Sequence, residues 1–140
     1  MSDPVPTLSS MARVTVVDET TSGAKAEQWM LDVVEERLPL REVIRRRVFQ
    51  EVAEFNAKAG TVFRGLVRPT DTEVELNGFR LREHRRIDPE AQTALALEAF
   101  GRNGFVVLIG DRQVEGLDDV VELPLGVEVT FLKLVALVGG

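Results

Sequence analysis

A chain of 140 residues, 44% of them hydrophobic, has material for one ordinary core and not for two full ones. With no cysteine, the chain has no disulfide scaffold, thiolate metal site, cysteine nucleophile or thioester on its own thiol. A net charge of -6 argues against a nucleic-acid partner, and the lack of a long uninterrupted apolar stretch or a basic start followed by an apolar run argues against a membrane or export. The expectation is a cytoplasmic protein.

In chain order, residues 1–11 carry Pro4, Pro6 and a Ser-Ser pair without apolar periodicity, which predicts a flexible leader, with Met11 an alternative start. Residues 12–140 are expected to form one domain. The β-branched run Val14, Val16 and Val17 predicts a first strand that stops at the turn-rich segment from Asp18 to Gly23. Alternation from Trp29 to Val34 predicts a second strand and a hairpin with the first. Leu40, Val43, Ile44, Val48, Val52 and Phe55 recur at spacings of three and four, an apolar stripe that predicts a helix from about Pro39 to Asn56.

Residues 60–100 read as an insertion. Within it, Val62 to Val67 predicts a short strand, and Val74 to Leu81 predicts a hairpin around Asn77-Gly78. Asp88 as N-cap with Pro89 at the first helical position starts a second helix, which Ala91, Ala94, Leu95, Leu97, Ala99 and Phe100 continue toward Gly101 and Gly104. Phe105 to Ile109 then reads as a buried strand, Gly110-Asp111 as a turn, Gln113-Val114 as the return, and Val120 to Leu123 as a further strand. After Pro124-Leu125-Gly126 a last strand is predicted from Val127 to Val135, with Val127, Val129 and Phe131 on one face and Thr130, Leu132 and Leu134 on the other. The sum is an α+β fold with helices on one face of a mixed sheet.

This order of elements, with Leu38 to Ile44 opening a central helix, Phe105 to Val114 as strand and turn, and Gly126 to Gly140 as a last strand with a diglycine end, resembles the ubiquitin-like β-grasp family. The nearest likeness is to the sulfur carriers of thiamine and molybdopterin synthesis and to bacterial ubiquitin-like modifiers. Roughly half of the chain carries the likeness. It departs from the compact carriers in the length of the insertion and in Pro39, where the family often has a capping Ser or Thr. The fold it implies is a mixed sheet packed on a central helix, with an insertion carrying a second helix.

The resemblance implies a carrier or modifier whose Gly140 carboxylate is adenylated by a separate E1-like activating enzyme using ATP and magnesium. The chain would then be substrate, not enzyme, with no cofactor of its own. Its product would be an amide to a target amine, or a terminal thiocarboxylate if it carries sulfur; a third possibility is a β-grasp binding module with an incidental tail. Glycine at 139 and 140 suits passage of an extended tail through a narrow channel, because it has no Cβ to collide with the walls. Two terminal glycines arise by chance in roughly 0.5% of unrelated chains, so their weight comes from standing directly after a strand. Leu132, Leu134, Leu137 and Val138 beside the tail would offer the activating enzyme an apolar contact, unless the second helix covers that face of the strand. Lys25, Lys58 and Lys133 are the only lysines for self-modification.

Other clusters have plainer explanations. Arg41, Arg45, Arg46 and Arg47 crowd the first helix, but Glu42 with Arg46 and Arg47 with Glu51 have the i,i+4 spacing of a solvated, paired helix face. Arg82, His84, Arg85 and Arg86 read as a surface loop, and a lone histidine makes no metal site. Glu35-Glu36 and Asp118-Asp119 adjoin turns, where solvation accounts for them. There is no phosphate-binding loop or dinucleotide fingerprint, and one histidine supports no Ser-His-Asp set.

Overall fold

A computed structural model describes residues 13–22, 26–75 and 78–134. The expected leader, Met11, Lys25, Leu137, Val138 and the Gly139-Gly140 pair lie outside them. Among the described residues the protein is α+β, with a mixed sheet and two helices. It divides into two compact units, the first made of Met1–Val43 with Asn103–Gly140 and the second of Ile44–Arg102.

The first unit holds a five-stranded sheet. Its strands are β1 (Arg13–Thr20), β2 (Glu27–Asp32), β7 (Phe105–Ile109), β8 (Arg112–Val114) and β10 (Glu128–Lys133), in the order β2-β1-β10-β7-β8. β1 and β10 run parallel, in register from Thr15 opposite Glu128 to Thr20 opposite Lys133, and the other pairs are antiparallel. Val14, Val16, Leu31, Phe105, Val107, Val129 and Phe131 are buried, so one face of the sheet is core. β1 continues past Asp18, where the sequence predicts a stop. The reason is that Asp18 is used inside the sheet: its carboxylate accepts the Trp29 indole N–H at 2.9 Å. β2 is displaced toward the N-terminus of its predicted span, because its pairing with β1 ends at Arg13 opposite Asp32 and leaves Val34 exposed.

Arg37–Pro39 forms β3, paired with β9 (Val120–Glu122), so Pro39 closes a strand and the helix α1 begins one residue later, at Leu40–Asn56. No capping Ser or Thr is needed. The Leu40 and Arg41 N–H groups donate to the Asp119 and Leu117 carbonyls at 2.9 Å, which satisfies donors that a helix start otherwise leaves open. Arg41 also bonds Asp118 at 2.8 Å across the same junction. Gly110 opens the two-residue β7–β8 loop with φ +63, a conformation glycine adopts without strain.

The second unit contains the rest of α1, a small sheet of β4 (Val62–Phe63), β5 (Glu73–Glu75) and β6 (Gly78–Arg80) in the order β4-β6-β5, and helix α2 (Pro89–Gly101). β4 is shorter than the predicted strand because the chain folds back at Gly65 onto the Phe63 ring, so closely that a Cβ there would overlap it. The hairpin forms as expected but one residue out of the predicted turn. Glu75 pairs with Gly78, which puts the glycine inside β6 rather than in the loop. Asn56 fastens the helix end to the approach to α2, donating to the Ile87 carbonyl at 3.0 Å and accepting the Ile87 N–H at 2.9 Å. Phe55 meets Phe63 edge-on at 5.6 Å and stacks on His84 at 5.0 Å.

Asp88 caps α2 as the sequence predicts, accepting the Glu90 N–H at 3.1 Å with Pro89 in the first turn. The most deeply buried positions of that helix, however, are not the expected apolar ones. Gln92, Thr93 and Ala96 are buried, Leu95, Leu97, Ala99 and Phe100 are half-buried, and Ala91 and Ala94 are exposed. Gln92 donates to the Val67 carbonyl at 2.8 Å and Thr93 to the Pro89 carbonyl at 2.8 Å, so both polar side chains enter the interior with bonds made. Among the described residues no helix is long and apolar enough to cross a membrane.

Candidate functional site

The candidate site is the end of β10 and the tail that follows it. β10 is the middle strand of five, with β1 on one side and β7 on the other. Phe131 lies between Asp18 of β1 and Val107 of β7 in the ladder, is fully buried, and has its ring centroid 6.0 Å from that of Phe105. The strand is therefore anchored from below by an aromatic pair and from both sides by backbone bonds.

The exit is fixed as firmly as the strand. The Thr21 N–H donates to the Lys133 carbonyl and the Leu134 N–H donates to the Gly104 carbonyl, both at 3.1 Å. Thr21 closes the end of β1 and Gly104 precedes β7, so the chain is gripped from both neighbouring strands where it leaves the sheet. Asn103 shapes the second grip, with φ +62 just past α2, a left-handed backbone that asparagine tolerates better than most residues. Nothing in the hydrophobic pattern marks Thr21 or Gly104, since their work is done by main-chain groups. The Asn103-Gly104 dipeptide was the available signal.

Of the predicted contact residues, Leu134 is exposed and Leu132 half-buried. Leu132 stands opposite Glu19 of β1 and Val106 of β7, on the sheet face turned away from Val129 and Phe131. The same face carries Met30, exposed, and the half-buried Val17, Val106 and Leu108. The two leucines thus border one partly apolar surface near the exit, as period-two alternation requires. Leu137, Val138, Gly139 and Gly140 lie outside the described residues.

No family model, curated protein or solved structure matches the chain.

The remaining clusters divide sharply. Arg47 and Glu51 do not sit on a solvated face. Their side chains are 2% and 9% exposed and pair at 3.2 Å, and Glu51 also accepts the Leu66 N–H at 3.4 Å. Position 47 falls three residues after Ile44 and four before Glu51, inside the buried stripe, so the pair is internal structure. Arg45 does face outward, resting over the Phe49 ring at 4.3 Å and 3.5 Å from Glu90. In the other basic cluster His84 lies 2.6 Å from the Gly60 carbonyl, and Arg85 donates to the Thr70 carbonyl at 2.5 Å, so these two hold loops together. Arg82 and Arg86 are exposed. On the small sheet, Glu75 hydrogen-bonds Arg80 and raises the guanidinium pKa, chiefly through that bond and then through its charge. Among the described residues no group of acidic or histidine side chains is placed to hold a metal ion.

Proposed function

We propose that the chain is a ubiquitin-like β-grasp modifier whose Gly140 carboxylate is activated by a separate E1-like enzyme and joined to amines of target proteins. The strand order supports the β-grasp part: two hairpins, β1–β2 and β7–β8, flank a sheet in which the first strand and the last, β10, lie side by side and parallel. A helix follows the first hairpin, and its first turn is bonded to the loop before β9.

The single observation that carries the proposal is the held exit of β10. From Leu134 onward, Val135 to Gly140 can reach at most about 20 Å when extended. A tail that starts from a rigid point delivers its end to a partner's pocket with little orientational loss. Two final glycines keep the last section thin.

In the first step a carboxylate oxygen of Gly140 attacks the α-phosphorus of ATP and pyrophosphate leaves. ATP and magnesium are held by the partner. The mixed anhydride makes the carbonyl carbon an acyl donor; an amine nitrogen then attacks it, loses a proton and displaces AMP, directly or after passage to a thiol of the partner. Leu132 and Leu134, with Leu137 and Val138 beyond them, supply the apolar border that the activating enzyme grips.

Protein isolated from its native host tests the product. Tryptic peptides of other proteins carrying a Gly140-to-lysine isopeptide bond are the expected result. A terminal sulfur in place of oxygen in the intact mass would replace conjugation by sulfur transfer. Function that survives replacement of both glycines by alanine would leave only a binding module.

A further inference from the structure

A groove of about 720 Å³ lies in the first unit, away from the β10 exit, at the other end of the β7–β10 ladder. It is lined by Arg112–Val114 on one side and residues 119–122 on the other, over Ile109, Pro124 and Val127. Both walls are strands at the end of a sheet. Among the described residues β8 ends the five-stranded sheet, and β9 is paired only with β3.

Three details show that the groove runs along strand edges rather than over a sheet face. Consecutive residues of both strands line it, whereas a face takes alternate ones. No residue of β3 lines it, so it lies on the side of β9 that β3 leaves open. Backbone polarity agrees. The Asp119 carbonyl accepts from Leu40 and the Leu123 N–H donates to Glu36, both toward β3 and the turn before it. In a trans peptide the C=O and N–H point opposite ways, and the described chain has no cis bond. The Val120 N–H and the Glu122 carbonyl therefore point away from β3, two residues apart, as a donor and an acceptor ready for one more strand.

We propose that this groove binds an extended segment of another protein as an added strand between β8 and β9. Its backbone pairs with the Val120 N–H and the Glu122 carbonyl, its aliphatic side chains pack on Val114, Val121 and Val127, and its basic side chains face Glu122 and Asp119. Open strand edges recognise extended backbone. Val120 is 56% exposed and supplies apolar wall at the mouth. The preference for basic flanks follows from charge, since acidic residues outnumber basic ones in this unit and two of the three charged lining residues are carboxylates. None of this depends on the C-terminal glycines, so the two proposals stand or fall separately.

The test uses the full chain and a short fluorescein-labelled peptide of alternating valine and lysine. Saturable binding is expected, with slowed hydrogen exchange at the Val120 amide in the complex. N-methylation of alternate peptide amides, which removes backbone donors and leaves side chains in place, should weaken binding by about tenfold or more. A valine and glutamate peptide should bind less tightly, and Val120→Glu, at an exposed site, should weaken binding of the N-H peptide while leaving the circular dichroism spectrum unchanged. Equal affinity for the N-methylated peptide, no binding of the valine and lysine peptide, or binding without protection at Val120 would overturn the assignment. A concentration-dependent dimer of the free chain with the same protection would give the groove to a second copy and overturn it equally.

Discussion

Replacing Arg47 with alanine is expected to lower the stability of the folded chain by about 3–5 kcal/mol, the usual result of leaving a buried charge without its partner. The mechanism is specific. Glu51 has a side chain 9% exposed, and the Arg47 guanidinium lies 3.2 Å from its carboxylate. Removing the guanidinium takes a close positive charge from a carboxylate that water cannot solvate well, and it also opens a cavity in the α1 stripe. Removing both charges should hurt less. Arg47→Met combined with Glu51→Leu keeps the volume and discards the desolvation cost, although the Leu66 N–H then loses an acceptor worth about 1–3 kcal/mol. Urea titrations of the parent, Arg47→Ala and the Arg47→Met, Glu51→Leu double variant give the comparison. A single Arg47→Ala variant with a midpoint within error of the parent would show that the pair is not a buried one.

Phe131→Ala is the second large loss, about 3–5 kcal/mol by the behaviour of aromatic core truncations. Phe131 is completely buried in the middle of β10 and packs against Phe105. Against a total of about 5–15 kcal/mol for an ordinary domain, a loss of this size takes a large share of the stability. Phe131→Leu, which keeps most of the volume, should retain much more of it. A thermal melt in which Phe131→Ala and Phe131→Leu coincide would contradict the placement of the ring in the core. Because β10 leads directly to the tail, the alanine variant is also expected to loosen the held exit, which hydrogen exchange at the Leu134 amide reads.

How far the sequence foretold this structure depends on which signal each element used. The α1 stripe was legible, because apolar residues at helical spacing leave one arrangement that buries them all, and Leu40, Val43, Ile44, Val48, Val52 and Phe55 are buried. The Asp88-Pro89 start of α2 was legible from capping chemistry, as the Asp88 bond to Glu90 shows. What the residue types concealed lay at the same spacing. Arg47 and Glu51 occupy inward positions of the stripe, and Gln92 and Thr93 those of α2, but a polar side chain reads as solvated until its internal partner is known. For Glu51 and Gln92 the partners, the Leu66 N–H and the Val67 carbonyl, lie far off in the chain, and for Thr93 the partner is the Pro89 carbonyl one turn back; all three are main-chain groups, which carry no residue-specific signal.

The strands follow the same division. Alternation placed Val129 and Phe131 on the core face and Leu132 on the other. It did not reveal that β10 sits at the centre of its sheet, since register and strand order are set by pairings far apart in sequence. The grips at Thr21 and Gly104 and the two open edges beside the groove belong to that class as well. Leu137, Val138, Gly139 and Gly140 lie outside the described residues.

The most direct measurement of the central claim is pyrophosphate release when the full chain is incubated with its cognate activating enzyme, ATP and magnesium. The carrier account predicts release that depends on the chain and stops when Gly140 is removed, with the fold unchanged by circular dichroism. Release of equal size from the chain lacking Gly140 would contradict it.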